Sequence, residues 1–264
     1  MIYVKPDEEL QITENVHVRF EGKVAWLTLT RQHVLNAFNR RCVHDLNRSL
    51  IAISSDPAVR VVIIAGKGRA FSTGIDLKEL SAGEFDMSYF TEWEEALRLV
   101  EEMDKIVIAG MHGYCLGGGL QLALVCDIRL STPGCRIGLP AIKEALIPGL
   151  APWRLSRYIG MGRAKWMVLS GKDISGEHAA RIGLVDGLIA EESFDVSLYE
   201  AAMTYLDTCS VATRYSKQLL NTGYDDDYEG ALGRYLHAQQ KAHYSMDGIE
   251  SRKAYRDGRT AEWL

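Results

Sequence analysis

Gly113-Tyr114-Cys115-Leu116-Gly117-Gly118-Gly119-Leu120-Gln121 is the stretch that decides the fold, and it has a counterpart upstream in Phe71-Ser72-Thr73-Gly74-Ile75-Asp76-Leu77. Each segment follows a β-branched run, Ile106-Val107-Ile108 in one case and Val61-Val62-Ile63-Ile64 in the other. Each also opens onto a stretch with helical character. A glycine turn between a buried strand and a helix start leaves backbone N–H groups without an intrahelical acceptor, at the end of the helix where negative charge is stabilised. Two such groups converging on one point make an oxyanion hole, provided that neither is used by an internal acceptor.

Working outward, Val16-His17-Val18-Arg19-Phe20 alternates, turns at Glu21-Gly22 and resumes as Val24 to Thr30, which predicts a β-hairpin. Asn39 is placed to cap a helix carrying Val43, Leu46, Leu50 and Ile53 on one face, closed by Asp56-Pro57. Strands are expected over Val61–Ala65, Ile106–Met111 and Asp127–Leu130. Helices are expected over Leu77–Val100, interrupted near Gly83, and from the second glycine segment to Val125. Beyond Ile137 the chain reads as helical, with Arg154–Tyr158 and Arg163–Leu169 as two early helices. Strands alternating with helices and then helices alone predict an α/β core with an α-helical tail. The soft boundary falls near Gly187–Glu192, giving a core over residues 1–190 and a helical region over 191–264.

Bulk properties exclude several classes. The chain has 264 residues, 30 basic against 35 acidic side chains and a net charge of −5, so no basic excess points to nucleic acid. No apolar run reaches the roughly 18 residues of a membrane span. The acidic start, Met1 to Glu9, lacks the apolar segment of a secretion signal, and five scattered cysteines lack metal-like spacing. Cys115, Cys126 and Cys135 are expected to pack as small hydrophobes, and a cytoplasmic location is expected. Neither glycine segment has Walker or dinucleotide-binding spacing.

The two segments together with Leu35-Asn36-Ala37-Phe38-Asn39, Cys126-Asp127-Ile128, Gly138-Leu139-Pro140, Ile147-Pro148-Gly149, Ser170-Gly171-Lys172 and Gly183-Leu184-Val185-Asp186 resemble the crotonase superfamily, the enoyl-CoA hydratase/isomerase family, over nearly the whole chain. The resemblance implies a spiral of β-β-α units, a C-terminal helical trimerisation region and a homotrimer or dimer of trimers. It also implies an acyl-CoA substrate, with coenzyme A entering as part of it and no resident cofactor or metal. Carried over by position, the resemblance assigns the oxyanion N–H groups to Thr73 and Gly118, with Gly117 and Gly119 keeping side chains clear of the thioester. Asp76 reads as a helix cap. For coenzyme A, the resemblance points to backbone near the first segment, at Ile75, and to basic residues for the phosphates: Arg31, Lys78 and, from a neighbouring subunit, Arg259. Lys67 and Arg69 are alternatives.

The departures bear on the reaction. Hydratases of the family carry a glutamate two positions after the triple glycine and another after the G-x-P proline; here these positions hold Gln121 and Ala141. Adding water across a double bond needs one group to take the water's proton and one to protonate Cα. With both carboxylates missing, decarboxylation fits best, because carboxylate loss generates the enolate without a base. Isomerisation, or hydration through a substitute base, comes next. A silent acyl-CoA-binding protein is the rival from another class. Glu144, Glu92, Glu94, Glu95, Tyr89, His112 and His237 are the candidate replacements. Glu144 is the nearest in sequence to the vacated position, and its competing role is a surface charge. Gln121 either orients a water or substrate group or fills the space of the missing acid.

Overall fold

A computed structural model describes residues 9–10 and 13–263. The hairpin is present as β2 (Val16–Glu21) and β3 (Val24–Leu29), with β1 (Glu9–Leu10) paired to β2. Helix α1 (Arg40–Ser55) follows, and the Asn39 side chain accepts from Cys42 N at its start. Its buried face, Val43, Leu46, Leu50 and Ile53, recurs every three or four residues as the sequence requires. Next come β4 (Val61–Gly66), α2 (Leu77–Ser81) and α3 (Met87–Glu102). Then β5 (Ile106–Met111), β6 (Tyr114–Leu116), α4 (Gly118–Val125) and β7 (Ile128–Ser131) carry the chain past the second glycine segment.

Strands β3, β4, β5 and β7 run parallel and in order, with Leu27 beside Ile64 and Ile64 beside Ala109. The Val/Ile runs of β4 and β5, at the centre of the sheet, are what a parallel strand buried on both faces demands. A second sheet of three strands joins β6 to β8 (Arg136–Gly138) and β8 to β9 (Asp173–Ser175). Between these last two lie a short 3₁₀ turn, Pro140–Glu144, and α5 (Ala151–Ser170). Arg154–Tyr158 and Arg163–Leu169 lie on the two sides of a kink in α5 at Gly160, whose φ of 76° and ψ of 157° are not helical, so the two helices expected there are present. After α6 (Gly176–Arg181), β10 (Gly187–Leu188) adds to the large sheet beside β7.

Two compact units are formed, residues 1–202 and 203–264. The division lies beyond the Gly187–Glu192 boundary expected from the sequence. The reason is α7 (Phe194–Leu206), whose buried Leu198 packs so closely on β5 that a methyl added at Gly110 would fall 2.5 Å from it. Within the second unit, α8 (Ser210–Thr222), α9 (Tyr228–His243) and α10 (Met246–Asp257) are each capped at the N-terminus by a side chain: Cys209, Asp227 and Ser245. Among the described residues no helix is long and apolar enough to cross a membrane.

Candidate active site

The two glycine segments are hydrogen-bonded to each other. Ser72 N donates to Tyr114 O, and Leu116 N donates to Ser72 O, forming a parallel bridge between Ser72 and Cys115. Gly119 makes this approach possible, because a Cβ there would lie 2.5 Å from Ser72 O. Its bareness makes room for the first segment rather than for a thioester. The Leu35-Asn36-Ala37 stretch locks the assembly. Buried Asn36 donates to Lys67 O and Ala70 O, and Ser72 Oγ donates to Asn36 O.

These contacts decide which N–H groups are available. Thr73 N donates to Leu35 O at 3.1 Å, and Gly74 N donates to Ser72 Oγ at 3.1 Å. Thr73 is thereby removed as an oxyanion donor, correcting the assignment taken from the resemblance. On the other side of Gly74 the backbone bridges to Phe38: Phe38 N donates to Gly74 O, and Asp76 N donates to Phe38 O. In an extended strand successive N–H groups point to opposite sides, so Ile75 N–H faces away from Phe38. No hydrogen bond among the described residues uses it. Nor does one use Gly118 N–H, at the first position of α4. Gly74 sits directly against Gly118, and a Cβ on Gly74 would fall 2.7 Å from Gly118 N. Ile75 and Gly118 thus present two unpaired N–H groups at neighbouring points of one cavity, which both residues line. Asp76, read from the sequence as a helix cap, does cap α2, accepting from Lys78 N and Glu79 N.

The cavity, of about 130 Å³, is walled by Phe38, Tyr89, Trp93, Leu146 and Ile147. Gln121 and Ala141 also line it, so the structure brings both altered positions to the unpaired N–H groups. Two carboxylates reach the cavity. Glu94 is occupied: it accepts from Leu150 N at 3.0 Å and from Arg154, whose side chain is only 5% exposed, at 3.0 Å. Glu144 ends the 3₁₀ turn, is exposed on the cavity rim and makes no hydrogen bond or ion pair within the chain among the described residues. The other candidates are used elsewhere. Burial pushes the Tyr89 phenol above its ordinary range, and its hydroxyl donates to Phe38 O. Glu92 pairs with His44, and Glu95 and His237 lie on exposed helix faces. His112 bonds Gly68 O through Nε2 and, with Lys67 and Arg69, lines a separate cleft of about 560 Å³. That cleft is larger than the Ile75–Gly118 cavity but contains neither unpaired N–H group.

Of the residues expected to hold coenzyme A, Arg31 has another task. Its side chain is 12% exposed and is bound to Ala37 O and Asp76, clasping the cap of α2 to the Leu35-Asn36-Ala37 stretch. Arg259 is paired with Glu250 inside its own helical unit. Lys78 is exposed on α2 and its side chain has no ion pair among the described residues. Among the described residues no cluster of His, Cys, Asp or Glu is arranged to hold a metal ion.

A sequence profile described as enoyl-CoA hydratase/isomerase matches residues 19–264. The chain belongs to the enoyl-CoA hydratase/isomerase family. It is 31% identical over 256 residues to the crotonyl-CoA hydratase of Syntrophomonas wolfei, covering 95% of this chain and 98% of that one. It is 34% identical over 223 residues to the short-chain-enoyl-CoA hydratase of Clostridium acetobutylicum, covering 83% and 85%. The crystal structure of enoyl-CoA hydratase from Bacillus anthracis superposes with a TM-score of 0.89 at 29% identity, covering 95% of this chain and 99% of that chain. As an enzyme of the enoyl-CoA hydratase/isomerase family, the protein acts on acyl-CoA thioesters.

Proposed function

We propose that this family member forms and protonates the enolate of a short-chain acyl-CoA, with one acid–base carboxylate in place of two. The observation that carries this is the meeting of the unpaired Ile75 and Gly118 N–H groups with a cavity whose one unpartnered carboxylate is Glu144. The N–H pair holds the thioester oxygen and stabilises the charge that develops on it; each donor of this kind contributes on the order of 2.7–4 kcal/mol to lowering the barrier. Coenzyme A enters as part of the substrate, and Lys78, exposed on α2, is a basic side chain that can meet its phosphates.

One carboxylate is enough for two reactions. In decarboxylation the departing CO₂ leaves its electron pair on Cα, and Glu144 delivers the proton. In double-bond isomerisation Glu144 removes a proton from one carbon and returns it to another. Decarboxylation remains the leading reading because Gln121 cannot serve as a base and Ala141 leaves space beside it. Hydration with Glu144 as base is the second reading, favoured by the hydratase names of the relatives.

A mass-spectrometric screen of malonyl-, 3-enoyl- and crotonyl-thioesters of coenzyme A tests this. Turnover of the first or second class is expected, reduced about 10²–10⁴-fold by Glu144→Gln. Crotonyl-CoA hydration at an ordinary enzymatic rate, about 1–10³ s⁻¹, establishes the second reading instead. Full activity in Glu144→Gln removes Glu144 from both.

A further inference from the structure

One polar side chain in this cavity has its hydrogen-bonding sense fixed by a neighbour. Trp93 Nε1 can only donate, and it donates to Gln121 Oε1 at 2.8 Å in the buried part of the site. With the amide oxygen held on the Trp93 side, the amide nitrogen is turned away from it. Among the described residues that nitrogen makes no hydrogen bond, yet it is not sealed in the protein interior, so it opens on the cavity that Gln121 lines. The oxygen is hemmed in: a Cβ on Gly149 would lie 2.7 Å from Gln121 Oε1 and 2.6 Å from Glu94 Oε1. The face that Gln121 offers to a substrate is therefore two N–H donors and no acceptor.

Its position gives the donor a target. Gln121 lies three residues beyond Gly118 on α4, so both positions are on one face of the helix, one turn apart. A thioester oxygen at Gly118 N–H leaves the chain atoms next to Cα within reach of the amide. The other side-chain donors that line the cavity are committed elsewhere: Thr73 Oγ1 donates to Leu35 O, Tyr89 Oη to Phe38 O and Trp93 Nε1 to Gln121 itself. We infer that Gln121 is a specificity-determining residue that donates to a second oxygen function on the acyl group, a 3-oxo or a carboxylate oxygen, and that thioesters bearing one are the substrate class. This rests on the enolate-forming reading above, since it takes the thioester oxygen to be held by Ile75 and Gly118.

Calorimetric titration with butyryl-CoA, acetoacetyl-CoA and malonyl-CoA tests the inference. The first two differ by the 3-oxo group alone; the third carries the carboxylate. The unmodified protein is expected to bind one oxygenated ligand about tenfold or more tightly than butyryl-CoA, and Gln121→Met to erase that margin while butyryl-CoA binding holds. The ligand that loses affinity tells the 3-oxo group from the carboxylate. Gln121→Glu keeps an acceptor for Trp93 and serves if the methionine variant does not fold; its loss is expected to be greatest for malonyl-CoA. An unchanged margin in both variants, or an equal loss for all three ligands, overturns the inference and leaves Gln121 a structural role. Failure of all three to bind the unmodified protein overturns the enolate-forming reading itself.

Discussion

Gln121 is neutral in a place where a second carboxylate would be costly. Its Oε1 and Glu94 Oε1 both lie within 2.7 Å of the point where a Gly149 side chain would begin. Arg154, paired at once with Glu94 and Glu101, has its charge already spent on these two. A glutamate at position 121 would stand beside the Glu94 carboxylate, whose partner Arg154 is already shared with Glu101, in a site where 7% of the residue is exposed. Burial and the Glu94 charge both raise its folded-state pKa above the unfolded value of about 4.3, and the donor from Trp93 offsets only part of this. Such a group carries no penalty below the unfolded pKa, where it is protonated in both states. The penalty grows as pH rises and is complete above the folded pKa. Gln121→Glu is thus expected to match the unmodified protein in thermal stability near pH 4 and to fall behind by roughly 5–10 °C at pH 8. Melting curves across that range check it; a gap that does not change with pH would mean that Glu94 and position 121 do not interact. A glutamate restored at 121 is therefore not expected to make a hydratase by itself, since Glu94 disturbs its ionisation.

Among the elements, the shortest strands are the ones that the sequence conceals. The hairpin, β4, β5 and the Asn39-capped helix are all legible, because each repeats its period long enough to be seen. Strands β6, β8, β9 and β10 have two or three residues each, too few for alternation to register. They are held by tertiary bonds instead. Where β10 docks on β7, Asp186 accepts from Arg129 N and Nη2, both at 2.7 Å, while Arg129 also donates to Leu184 O and Cys126 O. Asp186→Ala leaves those two carbonyl contacts in place, so the expected loss is that of hydrogen bonds to a charged group, about 1.5–3 kcal/mol, read as a shift of the urea midpoint. No shift would mean that the strand is held by its backbone ladder alone. The Ile75 donor was hidden for a related reason. Its direction is set by a bridge to Phe38, far away in sequence, and no local pattern at Ser72-Thr73-Gly74-Ile75 distinguishes a turned-in N–H from a turned-out one. Arg31 is misread from sequence in the same way, because its partner Asp76 is distant along the chain.

At the scale of the whole molecule, the cysteines and the apolar surface point in opposite directions. Cys115, Cys126 and Cys135 are buried, and burial raises the Cys115 thiol well above its usual range and that of Cys135 to about 12, so they pack as small hydrophobes. The helical unit over residues 203–264 does not bury its larger apolar side chains in the same way. Leu220 is 76% exposed and Leu236 56%, with Tyr224, Tyr228 and Tyr255 also largely open to solvent. Single exposed hydrophobes are ordinary, but so many on one 62-residue unit are more than a soluble monomer usually leaves uncovered. Helices α8 and α9 cannot hide them against each other, because Leu220 and Leu236 remain exposed after these helices have packed. The surface is therefore expected to be covered by other copies of the chain, and light scattering at micromolar concentration to give three or six times the chain mass. Replacing Leu220 and Leu236 together with lysine puts charge into that contact, so the scattering mass should fall toward that of one chain while far-ultraviolet circular dichroism stays unchanged. A monomer mass for the unmodified protein would overturn the expectation. If the lysine variant instead keeps its full mass, the contact lies on a different face of the chain.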